Sequence, residues 1–432
     1  MMTNRQLKTA ATGINGQLTV PGDKSISHRA VMLGSIATGE TTIYGLLDSD
    51  DVRNTLGAMQ QLGVTVDWYD DRVVVHGRPL TTLTEPDGPL DMGNSGTSTR
   101  LLMGLLANQS FPMTFVGDAS LSTRPLARVI DPLTKMGARF VSTNHRLPVT
   151  TMPGFGLHGI HYRLPVASAQ VKSALILAGL QAEGETVITE PLATRDHTER
   201  MLHHFGVDVV RDGQDIIVTP NTALTGTTIN VPGDISSAAF WIVAALLVPN
   251  SELRLTGVGI NPTRDGILRL LRRMGAVIEL DNVIAEGEPT ADLIVRTQAL
   301  QGTAITSEDI PTAVDEIPML VLAATQALGD TLITGAQELH VKETDRIATV
   351  TTQLNKLGAN IEAREDGFLV HGGTPLHVEE PTVVDSSGDH RIGMMLAIAA
   401  LLTDGEVALA NADSVSVSYP SFFTDLERLV EA

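Results

Sequence analysis

Cysteine is missing altogether from this 432-residue chain, and aromatic residues make up only 3% of it. The first absence excludes a disulfide framework, a thiolate zinc site and a cysteine nucleophile. Positive charge is scarce as well: 30 Lys and Arg stand against 50 Asp and Glu, a formal net charge of -20. Nucleic acid and anionic membranes attract basic footprints, so neither is an expected partner. No run reaches the roughly 18 apolar residues of a membrane span. The opening "MMTNRQLKTAATG" also lacks the apolar core of a signal peptide. The expectation is a soluble, cytoplasmic, monomeric protein.

What is abundant is hydrophobic residue (43%) and glycine (39 residues), with 21 prolines. That composition fits many short elements joined by tight turns, and the length calls for two or three domains. A small anionic ligand is compatible with the acidic chain, provided that Arg, Lys and backbone N–H groups gather locally against the global field. "VPGDKSISHR", residues 20–29, is such a gathering, and "VPGD" returns at residues 231–234 ahead of "ISSAAFW".

Two interleaved series repeat along the chain. "QQLGVTV", "TKMGARF", "HHFGVDV", "RRMGAVI" and "NKLGANI" each place a glycine (Gly63, Gly137, Gly206, Gly275, Gly358) after an apolar turn and before alternating residues. They predict a helix C-cap followed by a strand. The second series has six copies, beginning at "DKSISHR", "GNSGTSTR", "SAQVKSA", "GDISSAAFW", "DEIPMLV" and "GDHRIGMM". Each has a polar head, an apolar helix, a turn and a strand, about 72 residues per copy. Helices apolar nearly all round are buried helices. Their heads then aim unpaired N–H groups and a positive dipole end at whatever lies beyond.

Other motifs have bland readings. "DSDDVR" (residues 48–53) suits a helix start better than a metal site, because Asp favours the first turn and no complete metal loop is present. His203 and His204 are adjacent, hence on different faces, and are expected at the surface. No protein-bound metal and no cofactor are expected. "GNSGTSTR" lacks the spacing of a Walker loop or dinucleotide fingerprint. It is a helix entry that either touches an anion or does not. "SAQVK", "TRDHTER", "HVKETDR" and "GDHR" are ordinary ion-pair sequences one by one, and only their recurrence at equivalent places in the repeat lifts them above that.

Taken together and in order, "PGDKSISHR", "LLDSDDVRNTL", "GNSGTSTR", "SAQVKSA", "HVKETDR" and "GDHR" resemble the 5-enolpyruvylshikimate-3-phosphate synthase family over essentially the whole chain. The resemblance implies an α/β fold of two similar domains, each of three β-α-β-α-β-β repeats with buried parallel helices. The expected domains are residues 21–233 and residues 234–432, the latter completed by residues 1–20. It also implies two substrates, phosphoenolpyruvate and shikimate 3-phosphate, each with a phosphate and a carboxylate for the helix heads to hold.

By the same resemblance Lys24, Asp315 and Glu343 are the catalytic candidates, with Lys24 touching both substrates. Ser25, Arg29, Ser168, Gln170, Arg195, Asp315 and Lys342 are candidates for shikimate 3-phosphate. Gly96, Arg124, Gln170, Arg346 and Arg391 are candidates for phosphoenolpyruvate, with Arg124 and Arg391 expected at repeat-equivalent helix starts. Ala169 stands where many members have a second Ser, and Val417 where some have a Lys. A UDP-N-acetylglucosamine enolpyruvyl transferase is the rival enzyme, although its usual active-site Cys has no counterpart here. A catalytically inactive ligand-binding relative is the non-enzymatic alternative.

Overall fold

The computed structural model describes residues 4–431, and the chain forms two compact units, Gly22–Val231 and Pro232–Ala432 with Met1–Pro21. The chain passes between units within each "VPGD" mark. One consequence is an exchange of strands. Asn15–Leu18, which leads into the Lys24–Ile36 helix, pairs in parallel with Glu252–Gly259, whereas Thr228–Asn230, which leads into the Ile235–Leu247 helix, pairs in parallel with Gly39–Tyr44.

Apart from that exchange the repeats are built alike. The strand entering a buried helix lies parallel to the strand leaving it, and an antiparallel hairpin completes the sheet. Leu90–Asp91 with Met113–Val116 flanks the Gly96–Leu105 helix, and His161–Arg163 with Thr186–Thr189 flanks Ala169–Gly179. Ala304–Ile305 with Thr331–Ile333 flanks Ile317–Thr325, and Thr382–Asp385 with Val407–Ala410 flanks His390–Leu401. Among the described residues five sheets have four strands in this pattern, and Leu157–His158 pairs with Ala182–Glu183 in a separate two-stranded one. The sheet of the sixth repeat has three, its antiparallel partner being Arg5–Gln6 from the other end of the chain.

The five marker glycines take φ between 83° and 104°. A side chain is strained there, so only glycine lets the helix close and the strand begin at once.

Each unit has its own apolar core, organised around three of the six helices. From Ile26 to Ile36 every residue of the Lys24 helix is buried, as is every residue of the His390 helix. Trp241, within the Ile235 helix, packs on Phe422 and donates its indole N–H to Tyr419 Oη at 3.1 Å. That bond satisfies the one polar atom of an otherwise apolar side chain.

Helix spacing inside a unit is set by small residues. A Cβ on Gly104 would lie 2.2 Å from the Ala174 carbonyl oxygen and 2.7 Å from its Cα, so the Gly96 and Ala169 helices touch backbone to backbone. Gly104→Ala should therefore force them apart and cost about 1 to 3 kcal/mol. A denaturation midpoint equal to that of the parent would contradict this packing.

Candidate active site

With the helix bodies mostly buried, their N-terminal turns are where polar groups gather. Asp23, Ser95, Ser168, Asp234 and Asp389 cap five of the six, each accepting a backbone N–H from the first turn. None of the six has a carboxylate within its first turn. The dipole end is thus offset only by the cap itself.

In the Gly22–Val231 unit, Lys24 and Ser25 open the first helix, half-buried. Lys24 Nζ lies 3.1 Å from Asp51 Oδ2, and Arg195 Nη1 reaches Ser25 Oγ at 3.5 Å. Arg29 lies deeper, its guanidinium donating to Thr198 Oγ1 (2.7 Å), Ser173 Oγ (2.8 Å) and the Ser25 carbonyl (2.8 Å). It ties the Lys24, Ala169 and His197–His204 helices together beneath Ser25.

At the Gly96 head a Cβ would lie 2.5 Å from Arg100 Nη1 and 3.6 Å from Arg124 Nη1, so glycine leaves room for two guanidinium groups. Arg124 Nη2 donates to Asn94 Oδ1 at 2.7 Å. Arg100 Nη1 donates to Gln170 Oε1 at 2.8 Å, and Gln170 Nε2 to Thr97 Oγ1 at 3.0 Å, which joins the second head to the third.

Behind these heads runs a buried chain of hydroxyls. His28 Nδ1 meets Thr55 Oγ1 at 2.8 Å, Thr55 meets Ser98 Oγ at 2.6 Å, and Ser98 donates to Ser95 Oγ at 2.7 Å. Burial pushes the His28 imidazole down to about 3, a shift that Asp51 opposes and Lys24 and Arg29 reinforce. The ring is therefore neutral at ordinary pH and adds no charge behind Lys24.

In the other unit the centre is Asp315. Arg346 Nη1 (3.6 Å), Lys342 Nζ (3.7 Å), Arg391 Nη2 (3.7 Å) and Arg264 Nη1 (3.9 Å) all approach its carboxylate. None of these is a hydrogen-bond distance. Arg346, by contrast, is held firmly elsewhere: Nε donates to Asp389 Oδ2 at 2.8 Å and Nη2 to Glu343 Oε2 at 2.6 Å. Burial opposes its charge, but Asp389, Glu343 and Asp315 outweigh burial and raise its pKa further. Arg264, also buried, donates to Ser236 Oγ (2.9 Å) and Asp234 Oδ1 (3.2 Å) at the head of the Ile235 helix.

The structure brings Lys24, Ser25, Arg29 and Arg195 together at one head, Gly96, Arg124 and Gln170 at the next two, and Ser168 at the cap of the third. It gathers Asp315, Lys342, Glu343, Arg346 and Arg391 in the other unit. Arg391 opens its helix as expected. Arg124 does not: it ends the short Ala119–Thr123 helix, with extended backbone, because the following Pro125 disfavours a helical residue before it.

Asp51 does sit in the first turn of the Asp50–Gln61 helix, and in addition it pairs with Lys24. Sequence reasoning did not single out Arg100, Asn94 or Arg264. Arg100 and Asn94 lie within or beside quoted motifs, whereas "NPTRDG" around Arg264 carries no local signal at all.

The architecture is that of the enolpyruvyl transferases. The crystal structure of the enolpyruvyl transferase NikO from Streptomyces tendae superposes with a TM-score of 0.80 over 99% of this chain and 98% of that one, at 17% identity. A closer likeness is EPSP synthase from Acinetobacter baumannii, with a TM-score of 0.87, 42% identity and the same coverage. The family model for EPSP synthase (3-phosphoshikimate 1-carboxyvinyltransferase) matches residues 8–426. A 3-phosphoshikimate 1-carboxyvinyltransferase of Leuconostoc citreum is 56% identical over 428 residues, 99% of each chain. The chain belongs to the EPSP synthase family.

The neutral His28 has a consequence for stability. Its folded pKa is about 3 against 6.5 for the free side chain, so the unfolded chain takes up a proton that the folded one refuses. Stability from this group is complete above pH 6.5 and is lost as the pH falls toward 3. Between pH 7 and 5 the loss should be about 2 kcal/mol. His28→Asn should remove that part of the slope in chemical denaturation at the two pH values. Equal slopes in parent and variant would refute it.

Proposed function

We propose that the chain carries out its family's reaction as a cytoplasmic monomer, moving the carboxyvinyl group of phosphoenolpyruvate to the 5-hydroxyl of shikimate 3-phosphate and releasing phosphate. This is a step of the shikimate pathway toward chorismate and the aromatic amino acids. Among the described residues no helix is long and apolar enough to cross a membrane.

The observation that carries the chemistry is Asp315 among its four cations. Contacts of 3.6–3.9 Å are loose ion pairs that incoming carboxylate and phosphate oxygens can replace with direct, forked hydrogen bonds. The donor takes Arg346 and Arg391, with Gly96, Arg124, Gln170 and Lys24 from the other set. The acceptor takes Lys342, Ser25, Arg29, Ser168, Gln170 and Arg195. Once anions occupy the cations, Asp315 is the group left to accept the proton of the 5-hydroxyl.

The reaction then needs a proton on the donor's methylene carbon, a role we assign to Glu343, with Lys24 assisting proton transfer. Its neighbour becomes electrophilic, the 5-oxygen bonds to it, and a tetrahedral intermediate forms. Loss of a proton from the new methyl group restores the double bond as the bond from carbon to the phosphate oxygen breaks. No covalent bond to the enzyme is required.

Purified protein with both substrates should release phosphate and yield a product of the expected mass, and a UDP-sugar acceptor should not replace shikimate 3-phosphate. In deuterated water the product's vinylidene group should gain deuterium, with the bridging oxygen leaving on phosphate. Retention of that oxygen, without deuterium, would mean attack at phosphorus and overturn the scheme. Arg391→Ala removes a buried charge-assisted contact, worth about 2 to 5 kcal/mol. It should lower kcat/KM for the donor about 30-fold or more, and unchanged donor kinetics would remove Arg391 from the site.

A further inference from the structure

Lys172 is a charge with no part in the chemistry above. It stands in the first turns of the Ala169–Gly179 helix with its side chain wholly buried. Helix side chains lean toward the N-terminus, and this one reaches the turn that follows the Thr186–Thr189 strand. There Nζ donates to the Thr194 carbonyl at 3.2 Å. It also lies 3.3 Å from Glu190 Oε1 and 2.9 Å from Glu199 Oε1.

Glu190 is buried just as completely. Its Oε1 accepts the Thr194 amide at 2.8 Å and the Thr194 hydroxyl, while Oε2 accepts Arg211 Nη2 at 2.7 Å. Two carboxylates and two cations thus clamp both ends of turn 190–194. The residue that follows is Arg195, whose Nη1 points at Ser25 Oγ. The cap of the helix carrying Lys172 is Ser168.

Burying an ion this deep costs several kcal/mol unless every partner is in place. An apolar residue would fill the same volume without that cost, so packing alone does not account for a lysine. What the lysine adds is direction: it fastens the turn to the helix at a single spacing.

We propose that Lys172, with Glu190 and Glu199, is a positioning group for the acceptor's phosphate, locking turn 190–194 to the Ala169 helix so that Arg195, Ser25 and Ser168 keep one mutual spacing. This rests on the reading above that those three residues bind the acceptor. Lys172 touches no substrate and acts through Arg195.

The test uses K172M/E199Q, which removes one cation and one carboxylate together and so strands neither. Steady-state kinetics for both substrates, alongside thermal melting, are measured in the parent and in the R195A background. In the parent background the acceptor KM should rise at least tenfold, with kcat and donor KM within twofold. In the R195A background the same pair should add less than threefold. Should K172M/E199Q fail to fold, E199Q alone, which keeps the shape of its side chain, carries the same comparison with at least a threefold rise.

An unchanged acceptor KM, or a loss spread evenly over kcat and both KM values, overturns the proposal and leaves the acceptor site standing. Full additivity with R195A overturns it too. An R195A protein with unaltered acceptor KM overturns the acceptor reading itself, whatever Lys172 does.

Discussion

A helix buried along nearly its whole length is most open to polar groups at its N-terminal turns. Six helices in this protein are so buried, three in each unit, and the rest of the site follows from that constraint. Lys24, Gly96 and Arg391 all stand in first turns, where such helices are least enclosed. The sheets serve the same end: in four repeats a parallel strand pair fixes where one helix enters and leaves, and at the two "VPGD" marks the pair joins the strand entering one helix to the strand leaving the other.

An acidic chain that binds anions has to protect its cations from its own carboxylates. It does so by grading the ion pairs. Asp389 caps its helix and holds Arg346 at 2.8 Å, a bond that orders the guanidinium and is not for exchange. Asp315 stands back from the same group at 3.6 Å. The first contact fixes the fork in place, and the second leaves Nη1 facing Asp315 across a longer gap. Lys24 with Asp51 at 3.1 Å is intermediate, a part-buried pair. The neutral His28 belongs to the same economy, for a charged ring there would repel Lys24 from behind.

Much of this was legible in the sequence, for reasons that differ by residue. The marker glycines were legible because a positive φ admits few other residues, and the apolar helices because burial on all sides erases the usual stripe. Lys24, Ser25 and Gly96 were legible because they lie in contiguous motifs at helix starts. Arg264 was not, since its partners Asp234, Ser236 and Asp315 come from two distant helix heads and its own surroundings are unremarkable. Arg124 was placed at a helix start when Pro125 puts it at a helix end. The exchange of strands at "VPGD" was legible only as a repeated phrase. That the phrase marks a crossing of the chain required the pairing of Asn15–Leu18 with Glu252–Gly259.

Lys172 shows where motif reading stops. In "SAQVKSA" it looks like one more polar residue of a helix head, yet the head's capping residue is Ser168, and Lys172 lies in the interior facing Glu190 and Glu199. Lys172 lies one helical turn beyond Ser168 on the same face, and that one turn takes it from the half-buried cap to a wholly buried position. Gln170 is rotated to another direction, toward Thr97 and Arg100. Three polar residues within five positions therefore do three different things. One caps the helix, one ties it to its neighbouring head, and one anchors the turn that carries Arg195. Their spacing is helical geometry, and only the identity of what each one meets separates binding from support.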